Sequence, residues 1–151
     1  NIAFGKRNAT LSDIERAIET AAFSEDLKRM PDGLETLIGE RGVSISGGQK
    51  QRISLARAFI RQPEVLILDD SLSAVDAQTE RRIIQNIQKL RANQTTIIVT
   101  HRLSAIQKAD WVLVLEGGQI IEEGTPNQLL NKGGWYAEQY QRQQHQKGGS
   151  E

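Results

Sequence analysis

Val65-Leu66-Ile67-Leu68-Asp69-Asp70 and Thr96-Ile97-Ile98-Val99-Thr100-His101 decide how this chain is read. Each opens on a continuous apolar run too short for a helix, and the second is rich in β-branched residues. Both runs predict strands buried on two faces. Between them, Ala77 to Arg91 repeats at helical spacing, with Ile83, Ile84, Ile87 and Leu90 on its apolar side. Strand, helix and strand in that order predict a βαβ unit with a right-handed crossover, and therefore a parallel sheet. Open parallel sheets bind ligands beyond the carboxyl ends of their strands. Asp69 and Asp70 stand at one such end, Thr100 and His101 at its neighbour. Because successive strand residues point to opposite sides, the two carboxylates are expected to have different jobs. A lone aspartate there reads as a turn or cap residue; a pair with a histidine on the adjacent strand points to a site.

Working outward, the stretch from Gln49 to Arg61 places Ile53, Leu55, Ala56, Phe59 and Ile60 at helical spacing, and Pro63 closes it. Ser46-Gly47-Gly48 stands directly before that helix. Small residues at a helix start leave N–H groups open to a phosphate, although Ser46 as a plain N-cap beside two turn glycines is the commoner meaning of such a tripeptide. Further upstream, Leu11, Ile14, Ala17, Ile18, Ala21 and Ala22 form an amphipathic stripe capped by Thr10 or Ser12, with a second short helix near Ser24 to Met30. Pro31-Asp32-Gly33 marks a turn, and Leu34 to Ser46 is a glycine-punctuated connector. Downstream, Trp111 to Leu115, Gly117-Gly118 and Gln119 to Ile121 predict a hairpin. Gly124-Thr125-Pro126 starts a short helix through Leu130. Trp135, Tyr136 and Tyr140 anchor a last helix, and the polar stretch from Gln141 to Glu151 is expected to fray.

Composition excludes several classes of function. The 151 residues carry 19 Lys and Arg against 19 Asp and Glu, so no net charge draws the chain to nucleic acid or an acidic membrane. With no cysteine there is no disulfide framework and no thiolate nucleophile, and two histidines are too few for a histidine-based zinc site. No apolar run approaches the roughly 20 residues that span a bilayer. The opening Asn1-Ile2-Ala3-Phe4-Gly5 lacks an initiator Met and lacks signal-peptide form, so the chain is expected to be cut from a longer one. Gly42-Val43-Ser44-Ile45-Ser46 misses the Gly-x-Ser-x-Gly elbow of serine hydrolases.

Taken in order, Ile45-Ser46-Gly47-Gly48-Gln49, Val65 to Asp70, Ser73-Ala74-Val75-Asp76 and Thr100-His101 resemble the nucleotide-binding domain of ATP-binding-cassette proteins over residues 1–140. The resemblance implies a signature motif at Ile45, Ser46, Gly47, Gly48 and Gln49, which presents its serine and glycines to the γ-phosphate of ATP held by the opposite domain of a dimer. It implies that Asp69 is the Walker B carboxylate, holding Mg²⁺ through water, and that His101 is the switch histidine, which senses the γ-phosphate and positions attacking water. Ser73 and Asp76 fall in the D-loop, at the dimer seam. The implied fold is α/β, an incomplete P-loop NTPase: a helical signature subdomain at about 10–61 and the C-terminal parallel-sheet part of the ATPase core at about 62–145, with 146–151 a flexible tail.

Three departures refine that expectation. Where the family usually has a glutamate that polarises the hydrolytic water, this chain has Asp70, a mark of the degenerate site of heterodimeric exporters. The phosphate-cradling Gly-x-x-x-x-Gly-Lys-Ser/Thr loop occurs nowhere in the sequence, so the isolated chain is expected to be inactive. Gly39-Glu40-Arg41-Gly42 resembles the short loop with which exporter-type domains contact their own transmembrane helices. The resemblance therefore implies part of an exporter ATPase at the cytoplasmic face of a membrane, paired with a second nucleotide-binding domain. A soluble cassette ATPase acting on nucleic acid lacks support, since there is no basic stripe. A regulatory cassette that uses ATP only to dimerise is the other alternative.

Overall fold

The computed structural model describes residues 1–39 and 42–148, so Glu40 and Arg41 of the expected membrane-facing loop lie outside the described residues. The chain divides into two compact units, Asn1–Val99 and Thr100–Glu151.

In the first unit a 3₁₀ turn (Ile2–Gly5) precedes α1 (Leu11–Thr20), α2 (Ser24–Lys28) and α3 (Gly47–Phe59). Strand β1 (Val65–Asp69), helix α4 (Ala77–Leu90) and strand β2 (Thr95–Val99) follow. The helix starts obey the sequence. Thr10 caps α1 by accepting from the Asp13 N–H while the Asp13 carboxylate accepts from the Thr10 N–H. Ser46 and Gln49 make the same reciprocal box on α3. Ile18, Phe23 and Ile53 form the core of the helical part, with Ile2, Ile14 and Ile45 packed around them. The strands pair in parallel from Val65 opposite Thr95 to Asp69 opposite Val99, joined by the α4 crossover, as the apolar periods predict. Helix α4 buries Ile83, Ile84 and Ile87.

One expectation fails here. The two strands are not buried on both faces: Leu66 and Leu68 are buried, but Val65 is 53 %, Ile67 63 %, Ile97 46 % and Val99 51 % exposed. A continuous apolar run signals a strand covered on both sides. Within this unit the packing covers the Leu66 and Leu68 side and leaves the other bare.

In the second unit β3 (Val112–Glu116) and β4 (Gln119–Gly124) form an antiparallel hairpin. Its turn residues Gly117 and Gly118 take φ of 56° and 78°, the pair of positive values that a tight turn matched to strand twist requires. Thr125 caps α5 (Pro126–Lys132), with Pro126 in the first turn and Gly133 left-handed at its end. Helix α6 (Trp135–Gly148) then packs Tyr136 and Tyr140 against Leu103, Val112, Val114 and Leu129. The Glu122 carboxylate accepts from the N–H groups of Trp135 and Tyr136, closing the start of α6 from β4. Of the stretch from Gln141 expected to fray, residues 141–148 are helical as the end of α6, supported by an i, i+4 pair between Glu138 and Arg142 at 3.8 Å and by side-chain bonds from Gln143; residues 149–151 lie outside the described residues. Among the described residues no helix is long and apolar enough to cross a membrane.

The N-terminal corner offers a test of its electrostatics. Lys6 Nζ lies 2.8 Å from the Asp13 carboxylate, and this hydrogen bond, together with those of Thr10, lowers the carboxyl pKa from 3.8 to about 2. A depressed folded pKa stabilises the fold fully above pH ~4 and loses that contribution as pH falls towards 2. Lys6→Met is expected to move the Asp13 titration, followed by carboxyl NMR, back up towards its ordinary value; an unchanged midpoint would show that the lysine is not its cause.

Candidate functional site

Three of the sequence stretches meet in the first unit through hydrogen bonds. The α3 start is exposed at Ser46 and Gly47 and half-buried at Gly48 and Gln49. Two residues further on, Gln51 reaches across to the loop after β1: its Nε2 donates to Ser73 Oγ at 3.0 Å and its Oε1 accepts from the Ala74 N–H at 2.8 Å. Ser73 Oγ donates in turn to the Asp70 carbonyl at 3.0 Å. Gly48 closes the contact from the other side, for a Cβ there would lie 2.8 Å from the Ala74 carbonyl oxygen. Glycine is required at Gly48 by close approach, while at Gly47 a Cβ would meet only the Ala74 Cβ at an ordinary 3.7 Å.

A second network seats the same helix on its other side. Arg52 donates two hydrogen bonds to Asp26, one of them 3.1 Å from Nη2 to Oδ1, and a third of 2.9 Å to the Ala22 carbonyl. Its guanidinium carbon stands 5.4 Å from the centre of the Phe23 ring. Gln49 Nε2 adds a bond to Asp26 Oδ1 at 2.9 Å, so this residue both completes the cap of Ser46 and ties the helix start to α2. Burial pushes the Asp26 carboxyl up, but the hydrogen bonds of Arg52 and Gln49 outweigh it and hold the group below the ordinary carboxylate range.

Asp69 ends β1 with an exposed side chain. Asp70 leaves the strand at φ 44°, its N–H donating to the Val99 carbonyl at 3.0 Å and its carbonyl accepting from the Ser73 N–H at 3.2 Å. A short polar side chain suits that left-handed position. Asp76 caps α4 by accepting from the N–H groups of Gln78 and Thr79, bonds that lower its carboxyl pKa. In the second unit, exposed His101 has its carbonyl bonded by Gln143 Nε2 at 3.0 Å, and Thr100 Oγ1 accepts from the Arg102 N–H at 3.0 Å.

The structure thus joins Ser46, Gly48, Gln49, Asp70, Ser73 and the start of α4 along one connected edge, with Asp69 adjoining it. Gln51, Arg52, Asp26 and Gln143 were not singled out by sequence. Their residue types are common on helix surfaces, and only tertiary contact distinguishes them. A cavity of about 570 Å³ elsewhere in the unit, bordered by Arg16, Thr20, Ile60, Lys89 and Asn93, touches none of the candidate residues. Among the described residues no group of three or more His, Asp or Glu could hold a metal.

With that geometry in place, likeness to known proteins decides the family. The ABC transporter family model matches residues 5–73. A probable multidrug resistance ABC transporter ATP-binding/permease protein of Bacillus subtilis, YheI, is 58 % identical over 144 residues, 95 % of this chain and 25 % of the relative. The chain belongs to the ATP-binding-cassette family. The multidrug resistance-like ATP-binding protein MdlA of Escherichia coli is 46 % identical over 144 residues, 95 % of this chain and 24 % of that protein. A bacterial Atm1-family ABC exporter with ATP bound superposes with a TM-score of 0.87 at 39 % identity, over 94 % of this chain and 25 % of that one. The chain therefore spans about a quarter of the length of these cassette relatives. The α/β fold, with its signature-type helix start and parallel strands, is that of an ATP-binding-cassette nucleotide-binding domain.

Proposed function

We propose that this chain forms part of the ATPase domain of an exporter, coupling ATP binding and hydrolysis at a domain dimer interface to movement of a substrate across a membrane. The observation that carries the proposal is the Gln51 bridge, because it links the helix start that would face a partner's nucleotide to the loop leaving the Walker B strand. Ser46, Gly47 and Gly48 offer the γ-phosphate a helix N-terminus, with positive dipole and open N–H groups. Asp69, a hard-oxygen donor at the strand end, fits Mg²⁺, which takes one or two carboxylates and otherwise water and phosphate oxygens. When bound, the ion would offset charge on the phosphates. His101 orients the attacking water, and Asp70 is the carboxylate left to polarise it. Ser73 and Asp76 shape the seam against the second nucleotide-binding domain, and the Gly39-Glu40-Arg41-Gly42 stretch is the proposed contact for the protein's own transmembrane part.

Asp70 supports a finer reading: a heterodimer in which this chain's own site is slow and its signature serves the partner's competent site. The helical subdomain would occupy 10–61, the core part 62–145 and the tail 146–151, with the assembly at the cytoplasmic face of the membrane. The test is Mg-ATP hydrolysis by the full-length protein in detergent, alone and with partner subunits. Turnover that Ser46→Arg abolishes is the expected result. Retained ATP-driven dimerisation with no hydrolysis in any combination would select the regulatory cassette instead. The isolated 151-residue chain is expected neither to bind ATP tightly nor to hydrolyse it, and micromolar affinity by calorimetry would overturn that.

A further inference from the structure

We propose that Gln143, on the C-terminal helix α6, is a positioning residue for His101; this rests on the reading of His101 given above. The Gln143 side chain spans the backbone that carries the histidine. Its Nε2 donates to the His101 carbonyl at 3.0 Å, and its Oε1 accepts from the Leu103 N–H at 3.0 Å. One planar amide thus satisfies an acceptor and a donor two residues apart, as a neighbouring strand would, a combination that neither a carboxylate nor an ammonium can supply.

The remaining anchors make this bracket rigid. Thr100 Oγ1 accepts from the intervening Arg102 N–H at 3.0 Å. Leu103 is 5 % exposed and belongs to the same apolar cluster as Tyr136, against which Tyr140 packs. Tyr136, Tyr140 and Gln143 fall at i, i+4 and i+7, so one face of α6 is seated on the core and delivers the amide to the segment from His101 to Leu103. His101 itself is exposed, and the Gln143 amide reaches the backbone beneath it. Gln143 therefore acts on where the ring stands.

The consequence is kinetic. An interaction that matters only when the attacking water must be oriented lowers kcat and leaves the ATP KM unchanged. In the full-length protein Gln143→Leu, which removes both bonds at similar size, is expected to lower kcat on the order of 10- to 10²-fold, the cost of misplacing a reacting group by about 1 Å. The ATP KM is expected to stay within about twofold of its original value, as for a contact absent from the ground state. Gln143→Glu separates positioning from folding. Ionised, it loses the donor to the His101 carbonyl; protonated, it recovers both a donor and an acceptor, so its activity relative to the parent is expected to rise as pH falls towards the carboxyl pKa.

A double-mutant cycle with His101→Ala decides the route of action. If Gln143 works through His101, adding Gln143→Leu to His101→Ala costs nothing further. Additive losses, an equal rise in KM, or a Gln143→Glu variant with no pH-dependent recovery would overturn the positioning role while leaving the histidine's role intact. Unchanged turnover in His101→Ala alone would instead overturn the reading of His101, and the proposal with it.

Discussion

If Asp70 is the water-polarising carboxylate proposed above, Asp70→Glu is expected to raise the Mg-ATP turnover of the full-length protein on the order of 10²-fold, the gain expected when a short carboxylate is extended by about 1 Å. The backbone there is fixed from three sides. Its N–H is bonded to the Val99 carbonyl, and its own carbonyl receives both the Ser73 N–H and the Ser73 hydroxyl. Side-chain length, rather than loop position, therefore sets the reach of the carboxylate. The left-handed φ of 44° tolerates aspartate and asparagine better than most residues, so Asp70→Asn keeps the local conformation while removing the charge. That variant is expected to lose residual turnover. Robust hydrolysis by the parent protein purified without a partner would mean that Asp70 is competent and that the protein works as a homodimer. Negligible turnover that Asp70→Glu restores would place the defect at this carboxylate and favour the heterodimer.

The second large effect belongs to Gly48. Alanine in a helix interior normally gains about 0.5–1 kcal/mol over glycine, but here the added Cβ would approach the Ala74 carbonyl oxygen to 2.8 Å and its carbon to 3.6 Å. Relief requires the α3 start and the loop after β1 to move apart, an overpacking cost of about 1–3 kcal/mol. Gly48→Ala is therefore expected to lower the thermal midpoint and to cut ATPase activity on the order of 10²-fold, because the separation displaces the helix start at the site. Gly47→Ala, with its nearest contact at 3.7 Å, should keep the parent's midpoint. Equal midpoints for both variants would show that the close approach at Gly48 carries no energy.

Much of the backbone could be read before any coordinates. Apolar spacing located the helices and the parallel pair, because burial on one side imposes a period that survives in the residues themselves. The helix starts at Thr10 or Ser12, at Ser46 and at Gly124-Thr125-Pro126 were visible too, and the caps that form at Thr10, Ser46 and Thr125 are local bonds between residues three apart. What escaped depends on distant partners. The apolar runs of β1 and β2 describe what the strands are suited to, whereas their exposure reflects which faces this chain covers. The polar run after Gln141 looked unable to hold a helix, yet Gln143 finds two backbone partners some 40 residues away in sequence. The Gln51 bridge spans 22 and 23 residues to Ser73 and Ala74, and the Arg52 pair 26 to Asp26, so neither leaves a local pattern. Asp69, Asp70 and His101 drew attention because strand ends are where α/β folds place chemistry, while the bonds around them could not be read from the sequence.

The open face formed by Val65, Ile67, Ile97 and Val99 determines how the isolated chain behaves when heated. Half-exposed β-branched side chains on unshielded strands favour association as soon as the fold loosens. Unfolding of the isolated chain then becomes a one-way process, and its midpoint shifts with scan rate. Its durability is properly expressed as a lifetime at a given temperature, governed by the barrier to unfolding, and a dye that fluoresces on apolar surface would report that face even in the native state.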